Sequence, residues 1–403
     1  ISNGWLLGQG NVAHTAASAH NEDFQLKMTV EPWRDINISA NASWTKTMSN
    51  QIQYMYEGKP TNRSGSFNMT VMSIGSAFER HSADGGYHSR SFDKFVNSLE
   101  TFRSRLEQVY TGGHYPMGTS LAGQTYNPEN GSVDKYSGDV LIPAFLAAYT
   151  GGRPEKAGTD IIPSILSMMP NWTFTYSGLA KLPVIQKYFK SFNLRHAYKS
   201  VYSTGSFGTF NSYVEFMNGH GFIEDVASGM PVPSGMYNLG SVSINESFAP
   251  LAGLDMTFKN GISARFEYRK TRILTLSTTS VQVVETFSDD ITAGTGFKLD
   301  QIKMLGAQTG SGRNKVSNDL NVNIDFSYRN QSALCRNIRD MQTQATSGNR
   351  AIKASLQADY TYSRMLTLNF YYDYQSNFPL VSTSSYPTST HDCGITLKFT
   401  LTR

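Results

Sequence analysis

The chain has 403 residues, a formal net charge of +4, and 16% charged against 39% hydrophobic residues. Its small basic excess is spread out rather than gathered in a Lys/Arg block, which argues against nucleic acid as a partner. Two cysteines exclude a thiolate zinc cluster, and no apolar run approaches the ~18 residues that a membrane helix needs.

Residues 1–23 are rich in Gly, Asn, Ala and His, with Trp5, Leu6 and Leu7 as a candidate strand start. Phe24, Leu26, Met28 and Val30 then alternate up to Pro32. Ile36, Ile38, Ala40, Ala42 and Trp44 alternate against Asn37, Ser39, Asn41 and Ser43. Such alternation marks strands with one buried face. Residues 48–65 read as a polar loop, and Phe67, Met69 and Val71 open a strand ending near Phe78. From 80 to 170 the period changes. Phe92, Phe95, Leu99, Phe102 and Leu106 recur at helical spacing, Gly112-Gly113 ends the run, and an apolar stretch follows at Val140–Tyr149. A gap of this size between strands is an inserted subdomain rather than a connection. The predicted organisation is therefore barrel strands over 1–79, a large inserted loop or cap with an amphipathic helix over 80–170, and strands from 171 to 403.

Strands resume at Trp172–Tyr176 and Phe192–Tyr202, with a Gly/Ser/Asn loop over 204–240. Leu254, Met256 and Phe258 run into Lys259-Asn260-Gly261 and resume as Ile262, Ala264, Phe266 and Tyr268. Asn-Gly between alternating runs is a hairpin signal. Parity selects a three-residue loop that pairs Met256 with Ala264 and Leu254 with Phe266, with Gly261 left-handed. Later strands carry Leu320, Val322, Ile324, Phe326 and Tyr328, then Ile352–Tyr362, Leu366–Tyr374 around the Ser363–Met365 turn, and Cys393–Leu401.

About twelve strands are legible, several longer than the ~5–6 residues of globular strands and long enough for the ~9–11 of a tilted membrane crossing. Aromatic residues gather near their ends, as interfacial girdles require. Short turns at 259–261 and 363–365 against long loops near 277–289, 330–350 and 375–391 reproduce the two unequal ends of an outer-membrane barrel. The expected fold is all-β, a transmembrane antiparallel barrel with large loop insertions containing short helices. Carried backwards, this alternation puts the tight 31–35 corner at the long-loop end, so either a crossing is missed between 80 and 170 or the asymmetry lapses there. The chain opens at Ile1 without a start Met, as a piece of a longer chain would.

On that fold Met256, Phe258, Ile262, Phe266, Tyr268, Val322, Ile324, Phe326, Leu397 and Phe399 face lipid. Ser263, Arg265, Glu267, Arg269, Asn321, Asn323, Asp325, Lys353 and Asp359 line the lumen. Their mixed signs suit a conduit for varied cargo, and equally suit simple solvation of a wet interior. Lys270 and Arg272 share the apolar parity and are expected to snorkel at the outer interface. Cys335 and Cys393, both expected at the outer end, are available for one disulfide. The helix over 91–110 caps the pore, docks a partner, or covers its own loop. No His cluster has metal spacing, Gly310–Lys315 lacks the spacing of a phosphate loop, and no catalytic constellation or cofactor site is evident. The Asn-x-Ser/Thr sequons read as lumen lining rather than as glycan acceptors.

Four blocks, SINESFAPLAGLDMTFKNGISARFEYRKTRILTLS (243–277), DVLIPAFLAAYTG (139–151), PNWTFTYSGLAKLP (170–183) and TVEPWRDINISAN (29–41), resemble the SprA/Sov family, the outer-membrane translocon of the type IX secretion system. The resemblance implies the C-terminal portion of a very large single-chain barrel, of which the largest known have ~36 strands. It further implies a Bacteroidetes-type outer membrane and export of folded cargo bearing C-terminal sorting domains. The implied partners are outer-membrane lipid, a shuttle barrel and a periplasmic plug protein. Many barrels end on an aromatic residue, whereas this chain ends Phe399-Thr-Leu-Thr-Arg403. Two other readings of the residues are a TonB-dependent nutrient transporter, which needs an N-terminal plug domain, and a structural or adhesive barrel with a filled lumen.

Overall fold

Alternation of apolar and polar side chains sets the architecture, because each alternating run has one face to bury and one to wet. The computed structural model describes residues 15–53, 62–79, 85–300, 319–363, 365–381 and 385–400. The expected strand start at Trp5–Leu7 and the stretch 305–316, with Gly310–Lys315, lie outside them. In chain order the strands are β1 (Thr15–Val30), β2 (Ile36–Gln53), β3 (Asn62–Thr70), β4 (Asn171–Tyr176), β5 (Phe189–Thr209), β6 (Val214–Met217), β7 (His220–Glu224), β8 (Pro231–Gly235) and β9 (Tyr237–Asn238). Then follow β10 (Ser241–Phe258), β11 (Ser263–Ser277), β12 (Gln282–Leu299), β13 (Leu320–Asn337), β14 (Thr343–Thr361), β15 (Leu366–Pro379) and β16 (Thr388–Phe399). All pairings are antiparallel, and the main sheet runs β1-β2-β3-β5-β10-β11-β12-β13-β14-β15-β16. Among the described residues β1 and β16 are paired on one side only, so the sheet is an open, all-β wall. No helix among them is long and apolar enough to cross a membrane.

The β10–β11 hairpin has the expected register, with Met256 opposite Ala264 and Leu254 opposite Phe266. Gly261 sits at φ +86°, where a side chain would be strained, and its N–H donates to the Phe258 carbonyl at 3.1 Å.

The N-terminal half holds a feature that alternation could not reveal. The upper part of β2 pairs with β3 and its lower part with β4. On the other side, β5 likewise pairs with β3 over 201–207 and with β4 over 194–198. Together β3 and β4 are two halves of one crossing, interrupted between Thr70 and Asn171. Counting them once moves the Glu31–Asp35 corner to the same end as the Lys259–Gly261 turn, so no crossing is missing. The insertion begins at Val71, ahead of the expected residue 80.

The expected long loops at the opposite end are corrected. Residues 277–289 and 330–350 are mostly strand, closed by turns at 278–281 and 338–342. Their Ser, Thr, Gln and Asn side chains read as loop, yet Val283, Leu334 and Arg336 keep the alternation going with buried side chains. Similarly, β2 extends through 53 into the expected 48–65 loop. β5 extends to 209, and part of the 204–240 loop folds as the three-stranded sheet β6-β7-β8. Length asymmetry therefore rests on the insertion and on the 210–240 connection rather than on the C-terminal loops.

Helix α1 (Arg90–Tyr110) starts where Ser89 Oγ accepts from Phe92 N–H at 3.2 Å. The Glu79 carboxylate accepts from Ser91 N–H at 3.1 Å, placing an acid at the positive end of the helix. Helix α2 (Gly138–Thr150) stops at Gly151 in the left-handed conformation. Phe95, Leu99 and Phe102 of α1 and Leu141, Ile142 and Phe145 of α2 share one fully buried core with Trp44, Phe67, Met69, Tyr202, Ile244, Leu274 and Val283 of the sheet. The apolar side of α1 is thus covered by its own subdomain and the wall, the last of its three expected roles. Leu99→Ala should cost about 2–5 kcal/mol. Hydrogen exchange should then show lost protection in 71–170, with the amides of β15 and of the turn-end halves of β12–β14 unchanged.

Candidate functional site

Residues that face each other across an antiparallel ladder share a side of the sheet, so the register sorts the wall into two faces. One face carries a band that is level from strand to strand. Its upper row is Ile291–Tyr328–Ile352, and its lower row is Leu299–Leu320–Tyr360–Leu368. Between them lie Ala293–Phe326–Ala354–Tyr374, Thr295–Ile324–Leu356–Tyr372 and Phe297–Val322–Ala358–Phe370. The band is about nine residues tall, the reach of a tilted strand across a bilayer. Met256, Phe266 and Tyr268 continue it on β10 and β11, and Leu397 and Phe399, 65% and 62% exposed, continue it on β16. Phe258 and Ile262 close it at the turn, where Phe258 N–H donates to the Ile262 carbonyl at 2.8 Å.

The opposite face carries a chain of alternating charges across β5, β10, β11, β12 and β13. Arg195 Nε lies 2.7 Å from Asp255, and Asp255 is 3.6 Å from Arg265. Arg265 and Arg269 both grip Glu267, at 3.1 and 2.6 Å. Arg269 stands opposite Asp290 in the ladder, and Asp290 binds Arg329 at 2.6 Å. The order of charge is + − + − + − +. Beside it, Gly294 of β12 leaves a trough of 420 Å³ bordered by Arg265, Arg269, Asp325 and Lys353. A side chain on Gly294 would collide with the Asp325 carboxylate.

All nine residues expected on the polar side lie on this face. Ser263, Arg265, Glu267, Arg269, Asn323, Asp325 and Lys353 gather around the trough and the hollow next to it. Asn321 and Asp359 sit lower, opposite each other, where Asp359 accepts from Asn369 at 2.7 Å. Glu267 is a correction in kind. Its side chain is only 4% exposed, so it clamps two arginines rather than presenting charge to a solute. Sequence reasoning missed Arg195, Asp255 and Asp290. Asp255 was legible as the polar residue between Leu254 and Met256; the other two matter only through register.

Further up the apolar face the wall changes character. Arg272 and Arg336 are buried there with Glu246 and Glu285, with Arg272–Glu246 at 2.7 Å and Arg336–Glu285 at 3.0 Å. Arg272 also donates to the Ser76 carbonyl at 2.7 Å and to Ser76 Oγ at 2.8 Å. Arg336 donates to the Tyr87 carbonyl at 2.6 Å, and Ser73 Oγ donates to Glu246 at 2.7 Å. The expectation that Arg272 snorkels is therefore overturned. Lys270, in turn, pairs with Asp289 at 3.0 Å. Their parity was read rightly, but the strands continue past the band, and the surface above it is filled by the insertion. It follows that the insertion packs on the same face as the apolar band, not over the polar one, which corrects the expectation of a pore cap.

Asp139 lies in the first turn of α2 between two cavities, where its carboxylate accepts from Gly235 N–H at 2.8 Å. Surrounding protein desolvates it and raises its pKa above the ordinary value, against the opposing pull of that hydrogen bond and of His220. A raised acid binds more protons folded than unfolded, so stability falls as pH climbs above ~4, its unfolded value. Asp139→Asn should raise the melting temperature at pH 8, with the gain shrinking as the pH is lowered toward ~4 and gone below it.

The disulfide for which Cys335 and Cys393 were available is absent. Cys335 and Cys393 are free thiols, on β13 and β16 with β14 and β15 between them. Register puts them on opposite faces, Cys335 on the polar one and Cys393 beside Tyr372 on the apolar one. Thiol titration of unreduced, denatured protein should count two. Among the described residues no group of three His, Cys, Asp or Glu is placed to hold a metal ion.

No family model matches the chain, and no curated protein matches it. Among solved structures it is similar to OmpT (in-vitro folded), an outer membrane protein of Vibrio cholerae in trimer form. That likeness has a TM-score of 0.24 and 8% sequence identity, and covers 96% of this chain and 99% of that one. A TM-score so low carries no argument.

Arg272→Ala would strand Glu246 without its partner and should cost about 3–5 kcal/mol. An Arg272→Met/Glu246→Leu double variant should recover most of that loss in thermal melts, because it removes both charges.

Proposed function

We propose that this chain is a stretch of the wall of a large outer-membrane barrel that conducts proteins, of the type IX translocon kind. The observation that carries a membrane wall is the pairing of the level apolar band with the alternating-charge face behind it. A bilayer wets the first and water the second, and a soluble sheet would have to cover a band of this height with protein. Alternating fixed charge lets acidic and basic segments pass without either being held. Export through such a wall needs no reaction and no cofactor.

The translocon reading is supported by the resemblance of four sequence blocks to the SprA/Sov family. Residues 29–41 and 170–183 pair as β2 and β4, and 139–151 form α2. Residues 243–277 supply Glu246 and Arg272, which bind the insertion that contains α2. Two of the blocks thus pair directly, and a third binds the insertion that holds the fourth. Under this reading folded cargo with C-terminal sorting domains crosses the lumen, and a shuttle barrel and a periplasmic plug protein are the partners.

Deleting the gene should abolish surface delivery of sorting-domain cargo, measured by surface proteomics of intact cells. Undiminished delivery would overturn the translocon reading.

A further inference from the structure

The return of the insertion to the sheet, residues 161–170, reads IIPSILSMMP, and no charge occurs between Asp160 and Lys181. Both ends of its turn are pinned. Trp44 Nε1 donates to the Pro163 carbonyl at 2.9 Å, and Met169 N–H donates to the Thr70 carbonyl at 3.0 Å. Between the pins Leu166 is 95% exposed, with Ile165 and Met169 half-exposed beside it. A fixed turn that holds Leu166 in water gains nothing for the fold, so its exposure calls for an occupant.

The surroundings name the occupant. Trp44 stands opposite Phe24 in the β1–β2 ladder, and Phe24, Leu26 and Met28 continue from it as an exposed apolar row on the same face. The turn is therefore continuous with the apolar surface of the wall and lies at the edge where the insertion meets it. Serine is the only polar residue of the turn itself, and Glu22, Lys46 and Asp160 border the cavity that Ile165 and Leu166 also line, an apolar tip beside charged groups of both signs that suits the headgroup–acyl boundary.

We propose that Ser164–Met169 is a membrane foot, which seats the insertion on the outer leaflet with Ile165, Leu166 and Met169 at the headgroup–acyl boundary. It rests on the reading of the apolar face as lipid-facing. The insertion would then stand on the bilayer outside the lumen, held to the wall by its buried ion pairs and to the membrane by this turn. Shallow burial of a few apolar side chains at an interface is enough for such seating when the main anchor is covalent continuity with the wall.

The test uses the full-length protein in lipid bilayers, with Cys335→Ser and Cys393→Ser removing native thiols and a nitroxide attached at Leu166→Cys. Collision with oxygen should exceed collision with a water-soluble nickel chelate. A label open to nickel would overturn the foot, and so would one shielded from both probes, which would mean a protein cover. A second label at Phe326→Cys, in the middle of the band, separates the two ideas. Oxygen-rich collision there with nickel access at position 166 leaves the wall standing without the foot, whereas nickel access at both sites removes the wall reading as well.

Discussion

Two arginines and two glutamates, buried together where the insertion meets the sheet, hold the upper half of this molecule in place. Charges taken out of water are costly unless every one is paired and hydrogen-bonded. Arg272 and Arg336 satisfy that condition with acceptors from the insertion, Ser73, Ser76 and Tyr87, while Thr343 of β14 also accepts from Arg336. The sheet alone would leave those guanidinium groups short of partners, and the insertion alone would leave its carbonyls unmet. Each part needs the other, which fixes the insertion in one position on one face.

That position makes the long strands comprehensible. On the apolar side, β11, β12 and β13 have a lower storey that is bare and apolar, and an upper storey that is covered. The junction is the row Lys270–Asp289–Asn330, polar on the side that is apolar below it. A strand that only crossed a bilayer could stop at that row. These go on to Ser277, Gln282 and Asn337 because the insertion supplies a second core for the same face to pack against.

Much of this was legible in the sequence, and the reason is parity. A period of two fixes the side of the sheet for each residue within a strand, so the two faces and the Gly261 turn could be read without a partner strand. Parity is silent about what covers a face. Arg272 was placed on the right side and given the wrong surroundings, and the Ser/Thr-rich ends of β12 and β13 were taken for loops because their burial depends on a subdomain far away in sequence. The charge chain was half-visible for the same reason. Arg265, Glu267 and Arg269 alternate along one strand, while Arg195, Asp255, Asp290 and Arg329 join only through register between strands. Helix α1 was legible from its own spacing, since Phe92, Phe95, Leu99, Phe102 and Leu106 mark one side of a helix whatever lies opposite.

The interrupted crossing formed by β3 and β4 has a consequence for how the wall is made. Elsewhere along the sheet, neighbouring strands follow one another in sequence, as at the β10–β11 and β11–β12 hairpins, each of which closes a short loop. At Thr70 and Asn171 the two halves of one strand must meet across the whole insertion, and closing a long loop carries an entropic cost before any contact repays it. Contacts of such sequence separation are slow to form. The ladder between β2 and β5 therefore becomes continuous only once the insertion has folded and brought its two ends together. In assembly terms the insertion acts as a checkpoint, and the N-terminal strands cannot join the wall as a finished surface before it has passed.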